Sequence, residues 1–182
     1  MKSSDVDVLI VPGLWGSTPE HWQTRWLKGI RTAWLVEQED WDNPTHDAWT
    51  GQLVKSVEQA RQKVFLVAHS LGVHVVVRAA PRLPAAKVVG AFLVSPPDLD
   101  CGHMPAIDKE FGPVPETPLP FPSLLVASRN DRYCDFSRAE DFAFNWGARL
   151  VDAGHAGHIN VASGHGPWPE GLMTMAQFLS RL

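Results

Sequence analysis

Apolar residues in this chain alternate between two patterns. Short unbroken runs rich in Val, Ile and Leu are followed by stretches in which apolar residues return every three or four positions. The first run, VDVLIV over residues 6–11, is closed by Pro12-Gly13 and predicts a buried strand. Residues 19–30 carry Trp22, Trp26, Leu27 and Ile30 at helical spacing, with Thr18 as the expected N-cap ahead of Pro19. Residues 33–36 predict a shorter strand. Residues 47–62 set Trp49, Leu53, Val57 and Ala60 on one face of an amphipathic helix. KVFLVA at 63–68 predicts a second strong strand, and 72–80 a buried helix ended by Pro81. The alternation then continues with strands at 87–94 and 123–127, a helix at 138–146, a short strand at 148–151 and a closing helix at 169–182.

Strands covered on both faces by crossover helices read as continuous apolar runs. The pattern therefore predicts an α/β three-layer sandwich, with a mostly parallel sheet of about six strands, as one domain over residues 1–182. Residues 95–122 interrupt it. They hold eight of the fifteen prolines and no periodicity. Because strands resume beyond them, they read as a functional rim rather than a domain boundary.

Composition narrows the function classes. A length of 182 residues suits one core, and 45% hydrophobic with 20% charged residues argues against disorder. The net charge is −4 and no Lys/Arg block occurs, so no nucleic-acid partner is expected. Residues 1–7 contain no apolar stretch of signal-peptide length. The most apolar window, 64–77, contains His69, Ser70 and His74 and is too short to span a bilayer, so no membrane association is expected. Two cysteines, Cys101 and Cys134, do not make a disulfide framework, and a reduced cytoplasmic protein is the expectation.

The chemistry centres on Ala68-His69-Ser70-Leu71-Gly72, between a strong strand and an apolar helix. This is the setting of a nucleophile elbow, where a tight turn exposes the serine hydroxyl and small flanking residues permit close backbone approach. The helix N-terminus also favours negative charge developing there. The plainer reading makes Ser70 a helix cap.

A serine hydroxyl needs a base, and that base needs an orienting carboxylate. In elbow hydrolases the order is Ser, acid, His, each after a later strand. Asp131 lies four residues past the strand at 123–127, with Asp135 in reserve as either acid or helix cap. The Gly-rich segment after the last strand offers His155, His158 and His165. His158, after Gly157, is the preferred base and His165 the second choice. The three could also suggest zinc, but helix-borne His pairs with an adjacent Glu are the usual catalytic form. No metal and no cofactor are expected. His69 reads as a packed core residue, and His74, one turn into the helix, cannot approach the hydroxyl. His21, His46 and His103 have no constellation around them.

A tetrahedral intermediate needs two donors for its oxyanion. One is the backbone N–H of Leu71, after the nucleophile. The second should come from the loop Pro12-Gly13-Leu14-Trp15-Gly16-Ser17, with Leu14 as first choice and Trp15 next.

VPGLWGS (11–17), AHSLG (68–72), SRNDRYC (128–134) and GHINVASGHGPWPEG (157–171) resemble the bacterial YdeN-like serine hydrolases, relatives of the retinoblastoma-binding serine hydrolase. The resemblance covers nearly the whole chain, and its last block is the most specific. It implies a minimal α/β-hydrolase fold without a large cap domain, and Ser70, Asp131 and His158 as triad. It favours His158 over His165 because the family histidine stands in a Gly-His-Ile-Asn segment. Ala68 and the additional His155 depart mildly from the commoner pattern. The resemblance implies no particular natural substrate.

Eight tryptophans are many for this length. Trp15 and Trp168 fall on loops expected to flank the nucleophile and are assigned to the substrate pocket, whereas Trp22, Trp26 and Trp49 should pack helices onto the sheet. Without a cap the pocket should be shallow and bounded by 95–122. The expected partner is therefore a small-molecule acyl substrate, a short ester or small amide, with no protein partner specified. A binding protein that kept this fold without chemistry is the alternative. An intact nucleophile, acid and base in order argues against it.

Overall fold

Among the described residues six strands form one parallel sheet: β1 (Val6–Val11), β2 (Ala33–Leu35), β3 (Lys63–His69), β4 (Val88–Val94), β5 (Ser123–Ala127) and β6 (Arg149–Asp152). Their spatial order is β2-β1-β3-β4-β5-β6. The computed structural model describes residues 1–84, 86–102 and 105–182, so His103 lies outside the described residues. The helices are α1 (Trp22–Gly29), α2 (His46–Gln59), α3 (Leu71–Ala79), α4 (Pro105–Phe111), α5 (Phe136–Trp146) and α6 (Pro169–Ser180).

Successive strand residues point to opposite faces, and both faces are covered. Leu9, Leu66, Leu93 and Leu125 pack in one core with residues of α2, α3 and α5, including Leu53, Val76 and Phe142. Val8, Phe65, Phe92 and Val126 pack in the other with Trp22 and Trp26 of α1 and Met175 and Leu179 of α6. That double burial is why the strands read as unbroken apolar runs. The three-layer α/β fold without a large cap is the one the sequence predicts. No helix among the described residues is long and apolar enough to cross a membrane.

Some boundaries differ from expectation. Thr18 does not cap α1. Its carbonyl accepts the His21 N–H at 3.0 Å in a preceding turn, and His21 is the cap, its Nδ1 accepting the Gln23 N–H at 3.2 Å. Asp135 occupies the N-cap position of α5, so the reserve acid stands at a helix start. The 95–122 segment contains α4 and is fastened to the α2–α3–α5 layer instead of roofing the sheet edge. Glu110 accepts the His46 N–H at 2.8 Å, and Trp146 Nε1 donates to the Pro115 carbonyl at 2.8 Å. Arg78 donates to the Phe111 and Pro113 carbonyls.

The chain runs from β1 outward to β2 and then returns to the other side of β1 as β3. This reversal opens a crevice at the carboxyl ends of β1 and β3, where open α/β sheets place ligands. The loops there approach very closely. A Cβ on Gly72 would stand 2.3 Å from the Val11 carbonyl oxygen, and one on Gly13 would stand 2.7 Å from Ser70 Cβ. Only glycine lets the start of α3 and the loop after β1 share that space.

Candidate active site

Ser70 joins β3 to α3 with φ 55° and ψ −129°, a strained conformation for a residue with a side chain. Its N–H donates to the Val94 carbonyl at 3.0 Å, so the turn is held by the neighbouring strand. The hydroxyl makes no capping bond to α3. It lies 3.0 Å from His158 Nε2.

His158 follows β6 on the glycine-rich segment. Gly157 precedes it at φ 59°, and Ile159 follows at φ 47° with its side chain fully buried. Two bonds fix the backbone around it: Trp22 Nε1 donates to the Ile159 carbonyl at 2.8 Å, and His69 Nε2 donates to the His158 carbonyl at 2.9 Å. His158 Nδ1 stands 2.8 and 3.0 Å from the two carboxylate oxygens of Asp131. Asp131 also accepts the Tyr133 N–H at 3.0 Å, and its side chain is only 3% exposed. The structure thus brings together Ser70, His158 and Asp131 in one hydrogen-bonded chain.

The loops carrying Asp131 and His158 are laced together by residues that sequence reading passed over. Ser128 Oγ donates to the Gly154 carbonyl at 3.2 Å and accepts the Ala156 N–H at 2.9 Å. Asn130 Oδ1 accepts the Gly157 N–H at 2.8 Å. Short polar side chains immediately after a buried strand were the available signal.

Two backbone donors lie beside Ser70. The Leu71 N–H opens α3, where the first N–H groups have no helical acceptor. In the loop after β1, the Trp15 N–H is engaged by the Trp41 carbonyl at 3.1 Å, and that of Gly16 by Gly13 at 3.1 Å. The Leu14 N–H has no such partner among the described residues, which separates it from Trp15.

A cavity of about 450 Å³ opens over Ser70, lined by Leu14, Trp15, His21, His69, Tyr133, His158 and Asn160 among others. Among the described residues of 95–122 only Pro97 reaches it. Among the described residues no Asp, Glu, Lys or Arg side chain lines it. Burial, with His158 nearby, lowers the His21 pKa to about 4. His69 is held well below the ordinary imidazole range by full burial, reinforced by His158 and His21. Both rings are therefore neutral near pH 7. The sequence expectation that His21 stands alone is overturned, since its ring lies 5.0 Å from that of His69, which lies 5.0 Å from that of His158.

Trp15 stands at the cavity mouth, 70% exposed. Trp168 does not line the cavity, and its assignment to the substrate pocket is corrected. Its ring is 8% exposed, stacks at 5.8 Å on Trp26 and meets Trp22 edge-on at 5.1 Å, in the core beneath the α1–α6 face. Pro169 starts α6 directly after it, and Gly171 leaves room for the ring, where a Cβ would fall 2.2 Å from it. His165 pairs with Ser163 Oγ at 3.2 Å and makes no contact with Ser70. His158 spends both ring nitrogens on Ser70 and Asp131, so it has none to offer a metal shared with His155 and His165. Among the described residues no three His, Cys, Asp or Glu side chains group as metal ligands do.

A family model described as serine hydrolase matches residues 8–177. No curated protein matches the chain by sequence. Among solved structures, the chain is similar to one described as a YdeN-like hydrolase from Pectobacterium atrosepticum, with TM-score 0.85 and 32% identity over 97% of this chain and 91% of that one. The ydeN gene product of B. subtilis gives TM-score 0.82 and 22% identity over 96% and 99% of the two chains. Esterase 2 of Thermogutta terrifontis gives 0.68 and 16% over 100% and 85%. The last two likenesses are of fold.

Proposed function

Since the chain belongs to the serine hydrolase family, we propose that it cleaves small esters or amides by acyl transfer through Ser70, with His158 as base and Asp131 as its orienting acid. The observation that carries this reading is the unbroken chain Asp131–His158–Ser70, at 2.8 and 3.0 Å. His158 Nε2 takes the hydroxyl proton as Ser70 Oγ bonds to the substrate carbonyl carbon. Asp131 accepts the Nδ1–H and so keeps Nε2 free to act as the base. The oxyanion that forms is met by the N–H groups of Leu71 and Leu14. Loss of one such donor typically costs about 3 kcal/mol of transition-state stabilisation. The tetrahedral intermediate then expels the alcohol or amine, which takes its proton from His158, and leaves an acyl-Ser70 ester. Water, deprotonated by the same ring, releases the acid.

A cavity of about 450 Å³ with no charged side chain among the described residues that line it favours short, uncharged acyl groups. The two cysteines are free, which fits a reducing compartment, and we place the protein in the cytoplasm. The test is labelling with a fluorophosphonate probe, together with a chain-length series of p-nitrophenyl esters. The expected result is labelling abolished by Ser70→Ala and a rate maximum at short acyl chains. Equal labelling of both proteins, or none, would instead indicate a binding protein on this fold.

A further inference from the structure

His21 and His69 both line the cavity, and the acyl-transfer steps leave one ring nitrogen of each unused. Their tautomers follow from their bonds. His21 Nδ1 accepts the Gln23 N–H, which places the ring proton on Nε2. His69 Nε2 donates to the His158 carbonyl, which leaves Nδ1 as a bare acceptor. One ring therefore offers a donor and the other an acceptor, 5.0 Å apart centre to centre, and neither nitrogen has a partner among the described residues. Both residues are more than nine-tenths buried, at 6% and 5% exposure, and both line the cavity over Ser70.

We infer that His21 and His69 form a donor–acceptor subsite that selects acyl substrates carrying a hydroxyl or carboxamide close to the scissile carbonyl. A hydroxyl can accept from His21 Nε2–H and donate to His69 Nδ1 at once, and a primary amide can do the same through its oxygen and nitrogen. A carboxylate has nothing to donate, an ammonium has nothing to accept with, and an alkyl group does neither. The absence of a charged side chain from the lining, among the described residues, adds a desolvation penalty against both ions. Buried polar groups left unpaired in this way discriminate strongly against ligands that cannot satisfy them. The inference deepens the acyl-transfer reading and rests on it.

The test separates the two. Ser70→Ala protein labelled with 15N-histidine is titrated with methyl 3-hydroxybutyrate and with methyl butyrate, which has neither a hydroxyl nor a carboxamide, while fluorophosphonate labelling of the unsubstituted protein reports the catalytic reading by itself. The expected result is binding of the hydroxyester at least about tenfold tighter, with shifts at His21 Nε2 and His69 Nδ1. Adding His21→Ser, which keeps a favoured α1 cap but removes the imidazole, should erase that preference. Adding His21→Phe should do the same with the ring volume retained. Equal affinity for the two esters, no binding of either, or a preference that survives both substitutions would overturn the subsite even where Ser70 labels fully.

Discussion

His69 Nε2 donates to the backbone carbonyl of His158 at 2.9 Å, so the residue preceding the proposed nucleophile holds the residue proposed to deprotonate it. The bond is buried and runs between the end of β3 and the loop after β6. Replacing His69 with Phe keeps the volume and removes the donor. On p-nitrophenyl butyrate, which has no group for the His21–His69 pair, kcat should fall about tenfold with KM within about twofold, because a misplaced base slows the chemical step. Leaving the carbonyl unpaired should also lower stability by about 1–3 kcal/mol in urea unfolding. An unchanged kcat would mean that the Trp22 bond to Ile159 suffices to hold the loop.

The strained backbone at Ser70 makes a second expectation. At φ 55° and ψ −129° a Cβ is unfavourable, so Ser70→Gly should be more stable than Ser70→Ala by about 1 kcal/mol. That corresponds to roughly 2–4 °C in Tm for a domain of this size. Neither variant should react with a fluorophosphonate. Equal melting temperatures would show that the turn is not strained.

Trp15 and Trp168 should separate cleanly. Trp168→Ala empties a site in the aromatic core and should cost about 3–5 kcal/mol, with kcat/KM for small esters little changed in the protein that remains folded. Trp15→Ala removes a mostly exposed ring and should cost no more than about 0.5 kcal/mol, while KM for aryl esters rises several-fold. Thermal melts beside steady-state kinetics decide it. The reverse pattern would restore Trp168 to the pocket.

Acid should destabilise the protein through His74. Burial of its ring is the main cause of a pKa lowered to about 4, opposed by donation to the Pro97 carbonyl and by Asp98, and assisted by Arg78 and Arg138. Unfolded, the ring takes a proton below about 6.5, whereas folded it does so only near 4. The unfolded state therefore binds more protons across that window. Stability should fall as pH drops from 6.5 to 4, by up to about 3 kcal/mol from this ring, and level off below. Urea unfolding of His74→Phe should begin from a lower value at pH 7, because Pro97 loses its donor, and lose less on acidification. A slope equal to that of the unsubstituted protein would assign the effect to other groups, such as the buried His21 and His69.

Much of the architecture could be read in advance because strand burial on both faces writes itself into sequence as runs such as VDVLIV and KVFLVA. Ser70, Asp131 and His158 were legible for a related reason: each lies just beyond a strand, at the edge where the sheet converges. His21 was not. Its place beside His69 depends on how α1 packs after the turn at 18–20, and nothing local in the sequence marks a cap residue as a cavity wall. Trp168 misled because adjacency to the histidine loop suggested the same neighbourhood. A helix starting at Pro169 instead carries its ring to the core under α1. The 95–122 segment lacked periodicity, yet its contacts with Arg78 and Trp146 bind it to the outer helical layer, and such long-range carbonyl acceptors leave no local trace.

The side-by-side placement of β1 and β3 makes the two halves of the site unequal under heat. Leu14 and Leu71 are spaced by the ladder that joins these central strands, the part of the sheet whose amides should exchange slowest with solvent. His158 hangs from an edge-side loop secured by a few single contacts. Warming should therefore release the His158 imidazole, the proposed base, before the Leu14 and Leu71 N–H groups proposed to hold the substrate oxygen lose their spacing.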